Sequence, residues 1–460
     1  MPSFRDPAGR VLVQENRVLR VVNKQGEDEL SAFLSSRVAS RLFESGMFVK
    51  TARLSSGLSQ LSSALNGFSV YEHELIPFTS YPYEWCAEML HAAGTLTLDI
   101  AEQCLDEGFG LKDASPYNIL FRGPDPVFVD ALSFERRNQS DPTWLSHAQF
   151  MRNFLLPLLA HRDLRIRIDQ IFRTRRDGIW PAELCAWAGP LRRLSPTFFS
   201  AATFPWWLSR FESDRLYRPR AMEQDQARFV LHSLFRRLRR KLRRVLPGER
   251  RSLWSPYADR TPSYTAEQSA KKKEFIDGFL SRCCPKNVLD IGCNTGVYSL
   301  MAAERGASVV AIDADVVVVG KLWLAARAQR RNVLPLVVDI ARPTPALGWR
   351  NHEGSTFLQR ASGAFDTVFL LAVIHHLLVT ERVPLDEIVS LASDLTTRYA
   401  VIEFIGPDDP MVHRLARGSD GLYRDVSAAA FENACAAHFT IVNKSALPES
   451  SRILYLLRKR

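Results

Sequence analysis

The feature that most constrains this chain is the run Val288-Leu289-Asp290-Ile291-Gly292-Cys293-Asn294-Thr295-Gly296. An apolar strand pattern runs straight into a turn with two glycines, and a helical stretch to about Arg305 follows. A Cβ there would block either the required φ or a ligand's approach to the backbone. After it, strand and helix patterns alternate. Ser308–Ala314, Val333–Ile340, Phe365–Leu371 and Tyr399–Ile405 read as strands, with helices at Asp315–Arg330 and Leu385–Leu395. A helix at Val426–Ala437 then precedes an antiparallel pair, Phe439–Lys444 and Arg452–Leu457. Such alternation predicts a doubly wound, mostly parallel sheet, and the near-continuous apolar strands suit one covered on both faces.

In a sheet of that kind ligands lie beyond the carboxyl ends of the strands. Acidic residues recur there: Asp290 on the first strand, Asp313 closing the second, Asp339 closing the third. Together with the glycine turn, this set resembles class I S-adenosylmethionine-dependent methyltransferases over the segment from about Lys271 to the C-terminus, and implies an α/β, Rossmann-like sheet there. The resemblance implies that Asp290, Gly292, Asn294 and Gly296 surround the methionine part of S-adenosyl-L-methionine, Asp313 its ribose and Asp339 its adenine. Asn294 stands where many members have glycine, and asparagine tolerates unusual φ. The nicotinamide fingerprint is not matched, because Asn294 and Val297 occupy its second and third glycine positions. A sulfonium donor is already activated, so catalysis needs in-line positioning and a base only if the acceptor loses a proton. His375, His376 and Glu403, at expected strand ends, are the candidate bases. Adjacent histidines cannot both point into one site. The Asn/Asp-Pro-Pro-Tyr pattern of many amine methylators is absent from Leu370–Ile374, which argues against exocyclic amines.

A chain of 460 residues exceeds one ordinary core, and the N-terminal half reads differently. Val11–Val13 and Val18–Val22 flank an expected hairpin turn at Gln14–Arg17. A helix is expected over about Asp28–Glu44, a strand at Val70–Leu75, a helix at Leu96–Glu107, and a mostly helical, aromatic stretch from Trp144 to Leu208. In Lys112-Asp113-Ala114-Ser115-Pro116-Tyr117-Asn118 an Asp precedes an Asn by five residues, and Asp130 follows Asp113 by 17. In phosphoryl transfer such a first Asp takes the hydroxyl proton, while the Asn and second Asp hold magnesium. The stretch resembles the catalytic loop of protein kinases and aminoglycoside phosphotransferases, implying an α+β kinase-like domain with a helical extension. It departs from that pattern: Leu111-Lys112 replaces the usual histidine, Ala131 replaces the glycine after the second Asp, and the first 70 residues hold no glycine-rich phosphate loop. Arg20 stands roughly where a strand lysine would. The domain is therefore expected to be degenerate, with Asp113 and Asn118 capping a turn and Asp130 hydrogen-bonding them. The aromatic run Tyr81–Trp85 is expected to be core rather than a binding face.

The whole layout is similar to uncharacterised bacterial two-part methyltransferases and to rhizobial host-specificity nodulation proteins. The matching segments are Ser3–Gly9, Pro77–Trp85, Leu111–Asn118 and the glycine turn. The expected domains are 1–220 (kinase-like), 221–268 (basic helix and linker, with Gly248–Gln268 as the linker) and 269–460 (methyltransferase).

The formal charge of +10 is concentrated. Arg228–Arg251 carries ten Lys/Arg against Glu249 alone. Leu231, Leu234, Leu238, Leu242 and Val245 form one helical stripe with arginines opposite. Such a helix could meet an anionic membrane surface or an acidic partner. Specific nucleic-acid recognition is not expected, because no aromatic stacking platform accompanies the basic residues. The seven cysteines are scattered, with no pair at zinc spacing, so neither a disulfide framework nor a metal site is expected. No apolar run suits a membrane span or a signal core, so the cytoplasm is the expected location, with a peripheral membrane position as a variant. The expected activity is S-adenosylmethionine-dependent methylation of an oxygen or other nucleophile on a small molecule or glycoconjugate. The alternatives are a bifunctional protein with an active ATP-dependent phosphotransferase half, and a nucleic-acid-modifying methyltransferase guided by the basic helix.

Overall fold

A computed structural model describes residues 6–14, 17–54, 68–211, 221–248, 264–416 and 426–460. Ser3–Arg5, Glu15-Asn16 of the expected hairpin turn, Glu249–Arg251 of the basic segment and the expected linker through residue 263 lie outside them. The chain divides into two compact units, residues 1–248 with 346–355, and 249–345 with 356–460. The basic helix thus belongs to the first unit rather than to a linker.

The first unit is α+β. Strands β1 (Gly9–Gln14), β2 (Arg17–Val22), β3 (Thr51–Arg53) and β4 (Ser69–His73) form a sheet of order β1-β2-β4-β3. The single helix expected over Asp28–Glu44 is two, α1 (Lys24–Leu34) and α2 (Arg37–Glu44). Ser36 breaks them: its backbone is extended and its hydroxyl accepts from the Ala39 amide, capping α2. Helix α3 (Ala87–Leu105) begins nine residues before the expected Leu96, because its first turns are apolar on nearly every side and show no helical period. Just before it, Tyr83 and Trp85 are fully buried, so the aromatic run is core. Two hairpin-like pairs follow. Strands β5 (Phe109–Leu111) and β8 (Phe134–Arg136) pair antiparallel, as do β6 (Ile119–Arg122) and β7 (Asp125–Phe128). Phe33 of α1 stacks on Phe134 at 3.8 Å between ring centroids and meets Phe48 and Phe109 edge-on, tying the helix to these strands.

A helical extension runs from residue 147 to 209. Helix α4 (Gln224–Arg244) then lays Leu231, Phe235, Leu238 and Leu242 inward, with Val245 just beyond. Phe235, rather than the expected Leu234, fills the stripe. Several of its side chains face acids on and just after α3: Arg239 pairs with Asp99 and Glu102, Arg228 with Asp106 at 2.8 Å, and the His232 ring nitrogens reach Glu102 and Asp106 at 3.1 Å each. Arg236, Arg237, Arg240, Arg243 and Arg244 stay exposed.

The second unit is a seven-stranded sheet of order β11-β10-β9-β12-β13-β15-β14. Its strands are β9 (Asn287–Ile291), β10 (Ser308–Asp313), β11 (Val333–Val337), β12 (Phe365–Leu370), β13 (Thr396–Ile405), β14 (Phe439–Ala446) and β15 (Arg452–Lys459). The first five run parallel, and β15 is antiparallel to both β13 and β14. Helix α5 (Ala266–Cys283) starts at a capping box in which Thr265 and Gln268 satisfy each other's amides. Its Ile276, Phe279 and Leu280 share a core with Val288, Phe369, Val401 and Leu454, and with Ala302 and Ala303 of α6 (Val297–Glu304). Among the described residues no helix is long and apolar enough to cross a membrane.

Phe33→Ala should cost the first unit about 3–5 kcal/mol, because it empties the centre of the aromatic cluster. A denaturant titration followed by fluorescence of the buried tryptophan Trp85 reads this directly.

Candidate functional site

The parallel order places the ends of β9, β10 and β12 side by side, with Asp290 opposite Ala311 on one neighbour and Phe369 on the other. The chain leaves β9 through three residues with positive φ: Gly292 (70°), Asn294 (49°) and Gly296 (78°). The Gly292 and Cys293 amides bond the Ile312 carbonyl at 2.8 and 3.0 Å, which pins the turn to β10. The glycines are required by conformation and by the protein's own packing. A Cβ on Gly292 would lie 2.4 Å from Val373 Cγ2, and one on Gly296 2.1 Å from Leu322 Cδ1.

Asp313 closes this arrangement. Its Oδ2 accepts from the Asn294 amide and its Oδ1 from the Asp315 amide, both at 2.9 Å. Burial raises its pKa against those hydrogen bonds. Asp290 is nearly inaccessible and accepts from the Ser299 hydroxyl at 2.5 Å. Burial pushes its pKa up to about 6, with the Ser299 hydrogen bond and the Lys272 charge opposing and Asp313 reinforcing. Asp339 follows β11 on a turn; its Oδ1 accepts from the Ala341 amide and its Oδ2 from Arg342 Nη1 at 2.8 Å. Arg342 also holds Glu381 at 2.6 Å. Asp290, Gly292, Asn294, Gly296 and Asp313 therefore form one connected group, whereas Asp339 is shared with an exposed ion pair.

The three candidate bases separate. His375 is buried, and neither ring nitrogen has a hydrogen-bond partner. Burial, then the charges of His376, Arg452 and Lys272, hold its pKa down to about 2, so the imidazole is neutral at any physiological pH. His376 lies against it at 4.2 Å between ring centroids, half-buried, with its pKa lowered by burial. Glu403 is not at the strand end but two residues inside β13, and fully buried. Its oxygens take the Tyr264 hydroxyl at 2.8 and 2.9 Å and Lys272 Nζ at 2.6 Å, with Arg452 Nη1 at 3.8 Å. Arg452 in turn binds Asp409 through Nε at 2.7 Å and Nη2 at 3.2 Å. A carboxylate so committed has no capacity for a substrate proton, so the expectation that Glu403 is a base gives way to a structural role.

Lys272, Tyr264, Arg452 and Asp409 were not singled out from sequence. The signal was present: Glu403 sits in the apolar strand Val401-Ile402-Glu403-Phe404-Ile405, and a buried charge needs a partner. What sequence could not supply is the partner's address, 131 residues away on α5. The Lys272 ammonium also lies over the rings of Tyr264 (4.6 Å) and Tyr298 (5.1 Å).

In the first unit, Asp113, Asn118 and Asp130 all line one cavity of about 950 Å³, together with Arg20. Asn118 Nδ2 donates to Ser133 Oγ at 3.1 Å, and the Ser133 hydroxyl to Asp130 Oδ2 at 2.5 Å. Burial, with Asp130 nearby, raises the Asp113 pKa. Among the described residues no cluster of three or more His, Cys, Asp or Glu is arranged to hold a metal ion.

A family model described as a methyltransferase domain matches residues 230–447. Nodulation protein NoeA of Rhizobium meliloti (strain 1021) is 30% identical over 464 residues, spanning 99% of this chain and 95% of that one. The chain belongs to the NoeA family. Human glycine N-methyltransferase is 38% identical over 131 residues, 27% of this chain and 39% of that protein. Among solved structures, the bifunctional kinase-methyltransferase WbdD is 22% identical, with 44% of this chain and 41% of that one covered and a TM-score of 0.33. This NoeA relative thus carries a methyltransferase domain in its C-terminal part, with an α+β unit in its N-terminal part.

Glu403→Gln should destabilise the second unit by about 3–5 kcal/mol, because it strands Lys272 as a buried cation. The midpoint of thermal unfolding reads it, and a shift no larger than that of an exposed Glu304→Gln control would contradict the structural role. Gly296→Ala should also cost about 2 kcal/mol or more through strain and overpacking against Leu322, seen in the same measurement.

Proposed function

We propose that the second unit transfers the methyl group of S-adenosyl-L-methionine to an oxygen or similar nucleophile of a small molecule or glycoconjugate. The observation that carries the donor assignment is the connected turn Asp290–Gly296 with Asp313 at the end of the adjacent strand. In this reading the Asp290 carboxylate faces the donor's ammonium, Gly292, Asn294 and Gly296 shape the cradle for its methionine part, and Asp313 takes the ribose hydroxyls. Asp339 would reach the adenine amine with its remaining lone pairs. S-adenosylmethionine supplies an activated methyl group, and the protein contributes orientation.

His375 is the residue assigned to the acceptor. A buried neutral imidazole with both nitrogens unpaired can accept a hydrogen bond from an acceptor hydroxyl at any working pH. The 38% identity to glycine N-methyltransferase over 131 residues supports a second reading, a small primary amine as acceptor. Incubating a host extract with the protein and methyl-labelled donor separates the two: an ester or ether label on the product supports the first, a methylated amine the second. No transfer to any fraction, with no donor affinity by calorimetry, would overturn both. For Arg236, Arg237, Arg240, Arg243 and Arg244 we propose an anionic partner surface, a membrane or an acidic protein, rather than a nucleic acid. If replacing Arg236, Arg237 and Arg240 abolishes retention on polynucleotide, that preference fails.

His375→Ala should lower kcat by about 10²-fold with little change in donor Kd. The Asp290 pKa gives a pH prediction. Its folded value is raised, so the stability associated with its protonated form is present below the unfolded value and is lost as pH rises through about 6. The donor's ammonium needs the ionised form, so donor affinity should weaken as pH falls through about 6, approaching roughly tenfold per unit below it. Asp290→Asn should flatten that dependence in a calorimetric pH series.

A further inference from the structure

The helical run 196–209 of the first unit is packed inside out. Its inward face is mostly small: Ala201 and Ala202 are fully buried, with Phe198 beside them. Its outward face is large and apolar. Phe199, Phe204, Trp207 and Leu208 are exposed, and Phe211, just past the run, is 66% exposed. The ordinary gain from burying apolar surface would turn the rings inward and leave the alanines out. A π turn, Phe199–Thr203, sets the register of this face. The Phe204 amide donates to the Phe199 carbonyl five residues back, and Pro205 follows with no amide to give. The two rings thereby come within 6.1 Å, Phe204 reaches Trp207 at 6.3 Å, and Trp207 meets Phe211 edge-on at 5.1 Å between centroids. The four rings make one continuous ridge, and a contiguous apolar surface of this kind marks an interaction site.

The ridge is rimmed by positive charge. From Leu184 to Phe211 the chain carries Arg192, Arg193 and Arg210 and no acidic residue. Arg210 and Arg193 lie over the Trp206 ring at 4.2 and 5.8 Å. Helix α4 adjoins the same run, because Lys241 Nζ donates to the Ser200 carbonyl at 2.8 Å. Arg237 and Arg244 stand four residues before and three after Lys241, hence on its side of the helix. Both are exposed, as is Arg240, and none of the three has an ion-pair partner among the described residues.

A partner for this face must accept an apolar ridge and supply negative charge beside it. A leaflet with anionic headgroups offers both, hydrocarbon below and phosphates above. Tryptophan settles at that boundary, and arginine reaches headgroups while its stem stays in apolar surroundings. A single-stranded nucleic acid fits less well, since Leu208 has no ring for a base to stack on and the ridge rings already contact one another. We propose that this face docks on an anionic lipid bilayer, with Phe204, Trp207 and Phe211 below the headgroups and Arg237, Arg240 and Arg244 on their phosphates. The proposal rests on the reading of α4 as facing an anionic partner, and it names that partner.

The test is sedimentation of the full chain with vesicles of phosphatidylcholine alone and of phosphatidylcholine with an equal part of phosphatidylglycerol. The mixed vesicles should bind about tenfold tighter or more. Trp207→Ser combined with Phe211→Ser should weaken that binding about tenfold or more, by removing the inserted rings. Arg237→Gln combined with Arg244→Gln should remove most of the preference for phosphatidylglycerol. All four side chains are exposed, so an unchanged thermal midpoint is expected for both variants. Lipids brominated in their chains should quench the tryptophan emission of the unaltered protein more than that of Trp207→Phe, which keeps the ridge apolar. Binding to mixed vesicles that the serine variant leaves unchanged, with no quenching, overturns the proposal and leaves the reading of α4 standing. No binding to either vesicle also overturns it. Retention on polyglutamate would then identify an acidic protein as the partner, and retention on a single-stranded oligonucleotide would remove the reading of α4 as well.

Discussion

A single buried carboxylate organises the methyltransferase unit. Glu403 lies on the face of β13 that also carries Val401, amid a core of Ile276, Phe279, Val288 and Leu454. An isolated charge there would cost several kcal/mol, so the fold must bring counter-charges to it. It does so from both directions of the chain. Lys272 comes from α5, whose register is set by the Thr265–Gln268 capping box. Arg452 comes from the start of β15, held by Asp409. The interaction thereby fastens α5 and an antiparallel strand of the unit onto the sheet. Tyr264 completes the shell by donating to Glu403 while its ring faces both cations.

That same network sets the electrostatics next to the strand ends. Lys272 moderates the raised pKa of Asp290, and Lys272 with Arg452 helps keep His375 neutral. The proposed donor carboxylate partner and the proposed acceptor contact are thus tuned by residues that touch neither ligand. Such a division of labour is expected where a site must stay dry and polar at once.

The first unit follows a related logic with the opposite sign. There a buried cation, Arg20, is stabilised by an acid in front and a neutral histidine behind. The absence of a glycine-rich loop and the loss of the usual histidine before Asp113 were legible in the chain. That Asp130 is paired with Arg20 was not, because the two lie 110 positions apart and only the tertiary fold brings them together.

How much could be read in advance follows the range of the interaction responsible. The glycine turn, the alternation of strands and helices in a mostly parallel sheet and the antiparallel end are local or periodic features, written in consecutive residues, and the sequence by itself determined them. The break of the expected helix at Ser36 and the early start of α3 escaped notice because a single cap and an all-apolar turn leave no periodic trace. The partners of Glu403, the pairing of Arg20 with Asp130, and the placing of the basic helix against the acids on and just after α3 were decided only by the tertiary structure. In each, the deciding term is the desolvation or pairing of charge between segments distant in sequence. Only the folded packing fixes which ions meet.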